Sequence, residues 1–257
     1  MNFYNESTNF YLERIIFIKI CKKDKNNFKF VFMMDEKLLN YFEGFLTTHR
    51  KQLFKEVLEN RTRHFTVVLE DIFQSHNASA VVRTCDIFGV QDLHIIENKY
   101  NNKVSRHVAK GSQKWLNQYR YRDDGDNTKT CLDNLKKEGY QIVATTPHND
   151  SCLLQDFDVS KKTAFVFGVE AEGVSDYVMK NADGFLKIPM VGFTESLNIS
   201  VAAAIVLQDV TTKLRNSDLN WQLSDVEKEN LYFDWVKKTI KNVAKIEAHY
   251  HQNLKTE

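Results

Sequence analysis

Between Asp35 and about Asn60 the apolar residues Leu38, Leu39, Phe42, Phe45, Leu46, Leu53, Phe54, Val57 and Leu58 return at three- and four-residue steps with charges between them. That period predicts helix, with a break near Thr47-Thr48. Phe65-Thr66-Val67-Val68-Leu69-Glu70 has the length and branching of a buried strand, and the polar turn at 74–77 leads into a helix over 78–88. A strand over 92–96 follows Gly89-Val90. Strand, helix and strand within about 30 residues make a βαβ unit, which implies parallel pairing and a right-handed crossover.

Residues 127–137 read as a helix closed by Gly139, and Tyr140-Gln141-Ile142-Val143-Ala144-Thr145 as the next strand. Thr163-Ala164-Phe165-Val166-Phe167 predicts another strand, which runs into Gly168-Val169-Glu170-Ala171-Glu172-Gly173-Val174. A short helix over 175–181, a strand over 185–188 and a long helix over 198–215 complete the series. Val201-Ala202-Ala203-Ala204 gives that last helix a small-residue face suited to close packing. With Trp115-Leu116 through Tyr121, which also alternates like a strand, about six strands among helices imply an α/β fold around a parallel sheet. Past a polar linker at 215–220, Leu231, Trp235, Ile240, Val243 and Ile246 suggest a C-terminal helical extension. The expected division is a segment 1–33, an N-terminal helical extension 34–64, an α/β domain 65–215 and a C-terminal extension 216–257.

The 257 residues, 42% of them hydrophobic, can build one sizeable core with appendages. With a net charge of +1 no global field draws in nucleic acid, so such a partner needs a local patch. One exists: from 98 to 122 the chain carries Lys99, Lys103, Arg106, Lys110, Lys114, Arg120 and Arg122 with no acidic residue, interleaved with Tyr100, Trp115, Tyr119 and Tyr121. Cations neutralise phosphates and aromatic rings stack on bases. Arg50 and Arg63, flanking the end of the first helical stretch, form either a solvated rim or the start of the same surface. The four cysteines are far apart and lack a C-x-x-C pair, which fits a reducing, cytoplasmic setting. His249 and His251 lack a third neighbouring ligand, so no metal site is expected. No apolar run approaches the roughly 20 residues of a membrane helix. Residues 1–33 have no steady period, whereas Met33-Met34 directly precedes the first clean amphipathic pattern. The working chain is therefore expected to start near Met34.

The glycine pattern excludes two chemistries. Gly168-x-x-x-x-Gly173 is followed by Val174 where a phosphate-binding loop needs Lys, and no G-x-G-x-x-G follows a strand. Gly168 and Gly173 instead permit positive φ or close backbone approach. Three polar clusters fall at carboxyl ends of predicted strands, where open α/β sheets hold ligands. They are His76-Asn77 with Arg83, Glu170 in the glycine turn, and Ser196 with Asn198. Taken singly, Arg83 is a surface ion-pair residue and Asn77 a helix cap; their convergence on one sheet edge favours a site.

These residues carry a resemblance. Asn77-x-x-x-x-x-Arg83-x-x-x-x-Phe88-Gly89-Val90, then Phe167-Gly168-x-Glu170-x-x-Gly173-Val174-Ser175, then Ile188-Pro189-Met190 with Ser196-Leu197-Asn198-Ile199-Ser200-Val201-Ala202 resemble, in order, the three motifs of the TrmH/SpoU branch of the SPOUT RNA methyltransferases. The resemblance spans roughly 65–215. It implies a parallel-sheet SPOUT fold with a C-terminal trefoil knot, flanked here by N- and C-terminal helices. It also implies bound S-adenosyl-L-methionine lined by Thr145, Gly168, Ile188 and Leu197, and a homodimer whose partner subunit completes each site.

The reaction so implied is methyl transfer to a ribose 2′-oxygen, with Arg83 as the principal catalytic group and Asn77, Glu170, Ser196 and Asn198 holding it and the ribose. A guanidinium offers five donors and no acceptor, so Arg83 reads chiefly as an orienting group. His76, Arg50, Arg63, Arg106 and Lys110 are the expected RNA contacts. Helices on both sides of the core resemble members acting on the D-loop guanosine at tRNA position 18. Ribosomal RNA, another tRNA position, or a silent RNA-binding role remain alternatives. Thr194-Glu195 and a lysine-rich C-terminal extension depart from that pattern.

Overall fold

A computed structural model describes residues 35–100, 104–146, 151–169 and 172–254. The segment 1–33 and the expected start at Met34 lie outside the described residues. The described residues divide into two units, one within 49–235 and one formed by 35–48 with 236–254. In the smaller unit, Asp35 caps α1 (Glu36–Glu43) by accepting from the N–H groups of Lys37 and Leu38, and Tyr41 meets Tyr250 with ring centroids 4.9 Å apart.

In the larger unit, α2 (Thr48–Leu58) precedes a sheet of β1 (Phe65–Glu70), β2 (Asp92–Ile96), β3 (Asn117–Tyr121), β4 (Gln141–Thr145), β5 (Cys152–Leu153), β6 (Thr163–Phe167) and β7 (Gly184–Lys187). Their order is β3-β2-β1-β6-β4-β7-β5, and every pairing is parallel. The chain first builds outward from β1, then crosses to the other side, and β6 returns to fill the centre beside β1 and β4. All six residues of β1 are buried, as its largely apolar run requires in a strand covered on both faces.

Alternation sorts the strands onto two helical layers. Val67, Leu69, Phe165 and Phe167 face α3 (Ser75–Ile87) and α7 (Ile199–Arg215), while Val68, Ala164 and Val166 face α5 (Asn127–Lys137) and α6 (Asp176–Asn181). On α7, Ala203, Val206, Leu207, Val210 and Leu214 give the buried stripe; of the expected small-residue face only Ala203 is buried, and Val201 is exposed.

The sequence pattern missed some elements for local reasons. α4 (Arg106–Ala109) and the 3₁₀ turn at Ser112–Lys114 are too short to show a period, and β5 has two residues. The sheet therefore has seven strands among the described residues, against about six expected. α3 starts at Ser75, with Asn77 already bonded back to the Gln74 carbonyl, earlier than the expected Ala78. The single C-terminal helical pattern is two helices, α8 (Asp225–Thr239) and α9 (Val243–Asn253), divided where Asn242 takes φ 56°.

Candidate active site

The carboxyl ends of β4, β6 and β7 enclose a cavity of about 600 Å³. Thr145 stands at the end of β4, Gly168 just past β6, Ile188 just past β7 and Leu197 before α7, and all four line it. Ser196 lines it too, as do Glu172, Asp176 and Glu195. Its size lies within the usual range for a small-molecule site, and its walls mix apolar side chains with polar groups in nearly equal measure.

The glycine turn is built from close backbone approach. Val169 and Gly173 exchange both N–H to carbonyl bonds, at 2.9 and 2.7 Å. A Cβ on Gly168 would run into the Gly173 carbonyl and the Val174 nitrogen, whereas Gly173 has open space and needs its φ of 73°. The turn is then pinned from below by the buried carboxylate of Glu70. One oxygen of Glu70 accepts from the Ser175 hydroxyl (2.7 Å) and from Thr128 Oγ1 (2.8 Å), the other from the Ser175 N–H (2.8 Å). Ser175 in turn caps α6, whose Asp176 and Met179 face the cavity. Sequence reading missed Glu70 because it ends an apolar strand and is separated by 105 residues from Ser175.

A second groove, of about 510 Å³, lies along α3 and α4 and is lined by His76, Arg83, Ile87, His107 and Lys110 among others. Arg83 is exposed and has no hydrogen-bond or ion-pair partner among the described residues, so its donors face the groove. Lys110 projects from the left-handed C-cap of α4, with φ 52°. The N–H of Ser105, which caps α4, donates to Ser79 Oγ at 2.8 Å and fixes α4 against α3. His107 was missed because nothing in the sequence indicates that α4 turns it toward Arg83.

α3 and α7 run side by side in the same direction. Asn198 donates to Asn77 at one end (3.2 Å), and Arg215 donates to the Phe88 carbonyl at the other (2.8 Å). Cys85, on the buried side of α3, is no nucleophile candidate: burial pushes its thiol up to about 12.

Glu170 lies outside the described residues. Arg106 is exposed on α4, one residue before His107. Arg50 is on α2 with its guanidinium 5.9 Å from the Phe54 ring centroid. Arg63 precedes β1, at the end of that strand away from the cavity, and bonds Asp92 (2.9 Å) and Glu227 (2.7 Å). Burial opposes its charge, yet these two carboxylates outweigh the penalty and raise its pKa. The structure thus brings His76, Arg83 and Lys110 together, and Thr145, Gly168, Ile188, Ser196 and Leu197 together, and leaves Arg63 in a separate ion-pair cluster.

Comparison with known proteins agrees with this geometry. The description "SpoU rRNA Methylase family" matches residues 64–208. The tRNA (guanosine(18)-2′-O)-methyltransferase of Borreliella burgdorferi is 41% identical over 211 residues, which is 82% of this chain and 95% of that protein. The crystal structure of the A. aeolicus TrmH/SpoU tRNA modifying enzyme matches with a TM-score of 0.68 at 31% identity, over 76% of this chain and 98% of that one. The SpoU methyltransferase AviRb from Streptomyces viridochromogenes, crystallised with the cofactor AdoMet, shares the fold at a TM-score of 0.54 and 23% identity, over 63% of this chain and 65% of that one. The chain belongs to the SpoU methylase family.

Proposed function

We propose that this protein is a tRNA 2′-O-methyltransferase that uses S-adenosyl-L-methionine and acts on the D-loop guanosine at position 18. The observation that carries the reading is the pairing of a donor-sized cavity at the β4, β6 and β7 ends with a basic groove around Arg83, in a chain that closely matches enzymes of that name over most of its length.

The cavity suits the cofactor chemically. Its apolar walls accept an adenine ring, the Gly168 turn allows backbone groups to approach closely, and Asp176 and Glu195 supply negative charge toward a cationic ligand. When bound, the cofactor supplies a methyl group on a sulfonium, whose charge is lost on transfer. The chain's own residues have the task of positioning. Thr145, Gly168, Ile188 and Leu197 hold the donor; Asn77, Glu170, Ser196 and Asn198 have the role of holding Arg83 and the ribose. Arg83 binds the acceptor's phosphate and orients the hydroxyl through charged hydrogen bonds, with His76, Arg106 and Lys110 as further RNA contacts. Arg50 stands further along the RNA path.

Because Arg83 lines a groove separate from the donor cavity, we infer a homodimer in which a second copy completes each site. Exposed Ile87 on α3, with Val201 and Ile205 one helical turn apart on α7, supports an apolar surface for that copy. We also infer the family's trefoil knot in the chain from β6 to α7, and a cytoplasmic location with the tRNA. No helix among the described residues is long and apolar enough to cross a membrane.

The test is incubation with unmodified tRNA and, separately, with ribosomal RNA, followed by nucleoside digestion and mass spectrometry. Appearance of 2′-O-methylguanosine only in tRNA, mapped to position 18, is expected. Absence of any 2′-O-methylated nucleoside overturns the reading, and light scattering that finds a monomer overturns the dimer.

A further inference from the structure

Two aromatic rings meet past the carboxyl ends of β1 and β2. Phe73 sits in the loop from β1 to α3, three residues before His76, and is 62% exposed, although its neighbour Ile72 is completely buried. Single exposed apolar residues are ordinary. This one is fixed in place: its ring meets that of Tyr100 with centroids 5.1 Å apart and planes at 78°. Tyr100 follows β2, and its neighbour Lys99 is anchored twice. The Lys99 N–H donates to Asp71 Oδ1 (2.7 Å), and its Nζ pairs with Glu172 on the rim of the donor cavity (3.1 Å). Asp71, held at φ 51°, begins the loop that carries Phe73. The two loops are thereby tied to each other and, through Glu172, to the rim of the donor cavity.

We propose that Phe73, braced by Tyr100 and flanked by Lys99, is a stacking platform for a base of the RNA substrate, an inference that rests on the transferase reading above for the identity of that RNA. An unpaired base stacks on an aromatic face whatever its sequence, while nearby cations hold the backbone. Nucleic acid is the favoured occupant because the chain continuing from this ring pair carries exposed Arg106 and Lys110 and has no acidic residue from 98 to 122. A second copy of the chain is the alternative outcome.

The experiment uses the full chain with Phe73→Ala, Phe73→Leu and Phe73→Trp, measuring tRNA KM, kcat, donor affinity and molecular mass. Loss of the ring in the Ala and Leu variants should raise the tRNA KM about ten-fold or more. Their kcat at saturating tRNA and their donor affinity should stay within about two-fold of wild type. The Trp variant should keep a near wild-type KM, and its added indole fluorescence should be quenched by tRNA without donor. An unchanged KM in Phe73→Ala, or rescue by Leu as complete as by Trp, overturns the platform. A mass change in Phe73→Ala overturns it in favour of a contact between copies. If wild type methylates no RNA but Phe73→Trp is quenched by tRNA, the platform stands and the transferase reading falls.

Discussion

Asn198 Nδ2 donates to Asn77 Oδ1 across 3.2 Å, joining the first turns of α7 and α3. The same Asn198 caps α7, its Oδ1 accepting from the Ser200 N–H (2.9 Å) and hydroxyl (2.6 Å). One side chain therefore sets both where α7 starts and how it lies against the helix that carries Arg83. Since Ile199 and Ala202 of α7 line the donor cavity and Arg83 of α3 lines the basic groove, this bond ties the helix of the cavity to the helix of the groove within one chain.

The first prediction concerns that bond. Asn198→Ala removes a cap and should cost about 1 kcal/mol of stability in denaturant unfolding. Asn77→Ala should cost a similar amount, because a buried polar partner is removed. In a double-mutant cycle the two should be non-additive by about 0.5 kcal/mol or more, in stability and in methyl transfer alike. Strict additivity in both would show that the amides do not act as a pair.

Glu70 gives the second. Glu70→Gln keeps the shape but sets an amide N–H against the donors that now converge on the carboxylate, and unmade bonds to such a buried group cost about 1–3 kcal/mol. Because Ser175 is the shared partner, the glycine turn and α6 should loosen. A loss of about 1.4 kcal/mol carried into binding would raise the donor Kd about ten-fold. The tRNA KM should be unchanged. Ser175→Ala should reproduce the donor effect and add little to Glu70→Gln. Isothermal titration of the donor checks this; equal losses of donor and tRNA affinity would instead indicate general unfolding.

Much of this arrangement is legible in the sequence, and the reason differs by element. β1, β6 and α7 can be read because burial on both faces demands apolar strands, and a helix packed on a sheet demands apolar residues at helical spacing. The cavity residues Thr145, Gly168, Ile188 and Leu197 are legible only through the family resemblance; the parallel strands, whose carboxyl ends share one edge, explain why the first three converge. Long-range polar pairing cannot. Nothing local says that Glu70 will meet Ser175, that Arg63 will be taken by Asp92 and Glu227, or that Lys99 will reach Glu172. Such bonds depend on strand order, and the insertion of β6 between β1 and β4 is not encoded in any period.

Arg83 separates function from stability. It is exposed and lacks a partner among the described residues, so Arg83→Ala should change the unfolding free energy by no more than about 0.5 kcal/mol. Loss of an orienting charge next to the reacting hydroxyl should nevertheless lower kcat about a hundred-fold or more, with donor Kd unchanged. Arg83→Lys should restore little, because a point charge does not reproduce the planar fork. Single-turnover methyl transfer reads this directly, and a variant as active as wild type would remove Arg83 from the mechanism.

The two glycines of the turn should fail in different ways. In Gly168→Ala the new methyl meets backbone atoms of Gly173 and Val174, which can yield only by opening the turn, so donor binding should be abolished. Gly173→Ala has room for its methyl but must hold φ at 73°, which costs about 1–2 kcal/mol. Its donor Kd should rise about ten-fold while methyl transfer survives at high donor concentration. Equal behaviour of the two variants would contradict the geometry of the turn.

His94 predicts the pH response. It lies on β2, stacked on Tyr119 at 4.8 Å and with Nδ1 3.1 Å from the Tyr121 hydroxyl on β3. Burial pushes its pKa down from 6.5 to about 4. The unfolded chain therefore binds a proton between about pH 6.5 and 4 that the folded chain refuses, so stability is full above the upper value and falls as pH drops through this window. At pH 5 the loss from this one group should be about 2 kcal/mol. His94→Phe preserves the stack and cannot take up the proton, so its unfolding free energy should fall less between pH 7 and pH 5 by about that amount. Urea unfolding at the two pH values measures the difference; parallel curves for wild type and variant would mean that the imidazole is protonated in the folded state as readily as in the unfolded one.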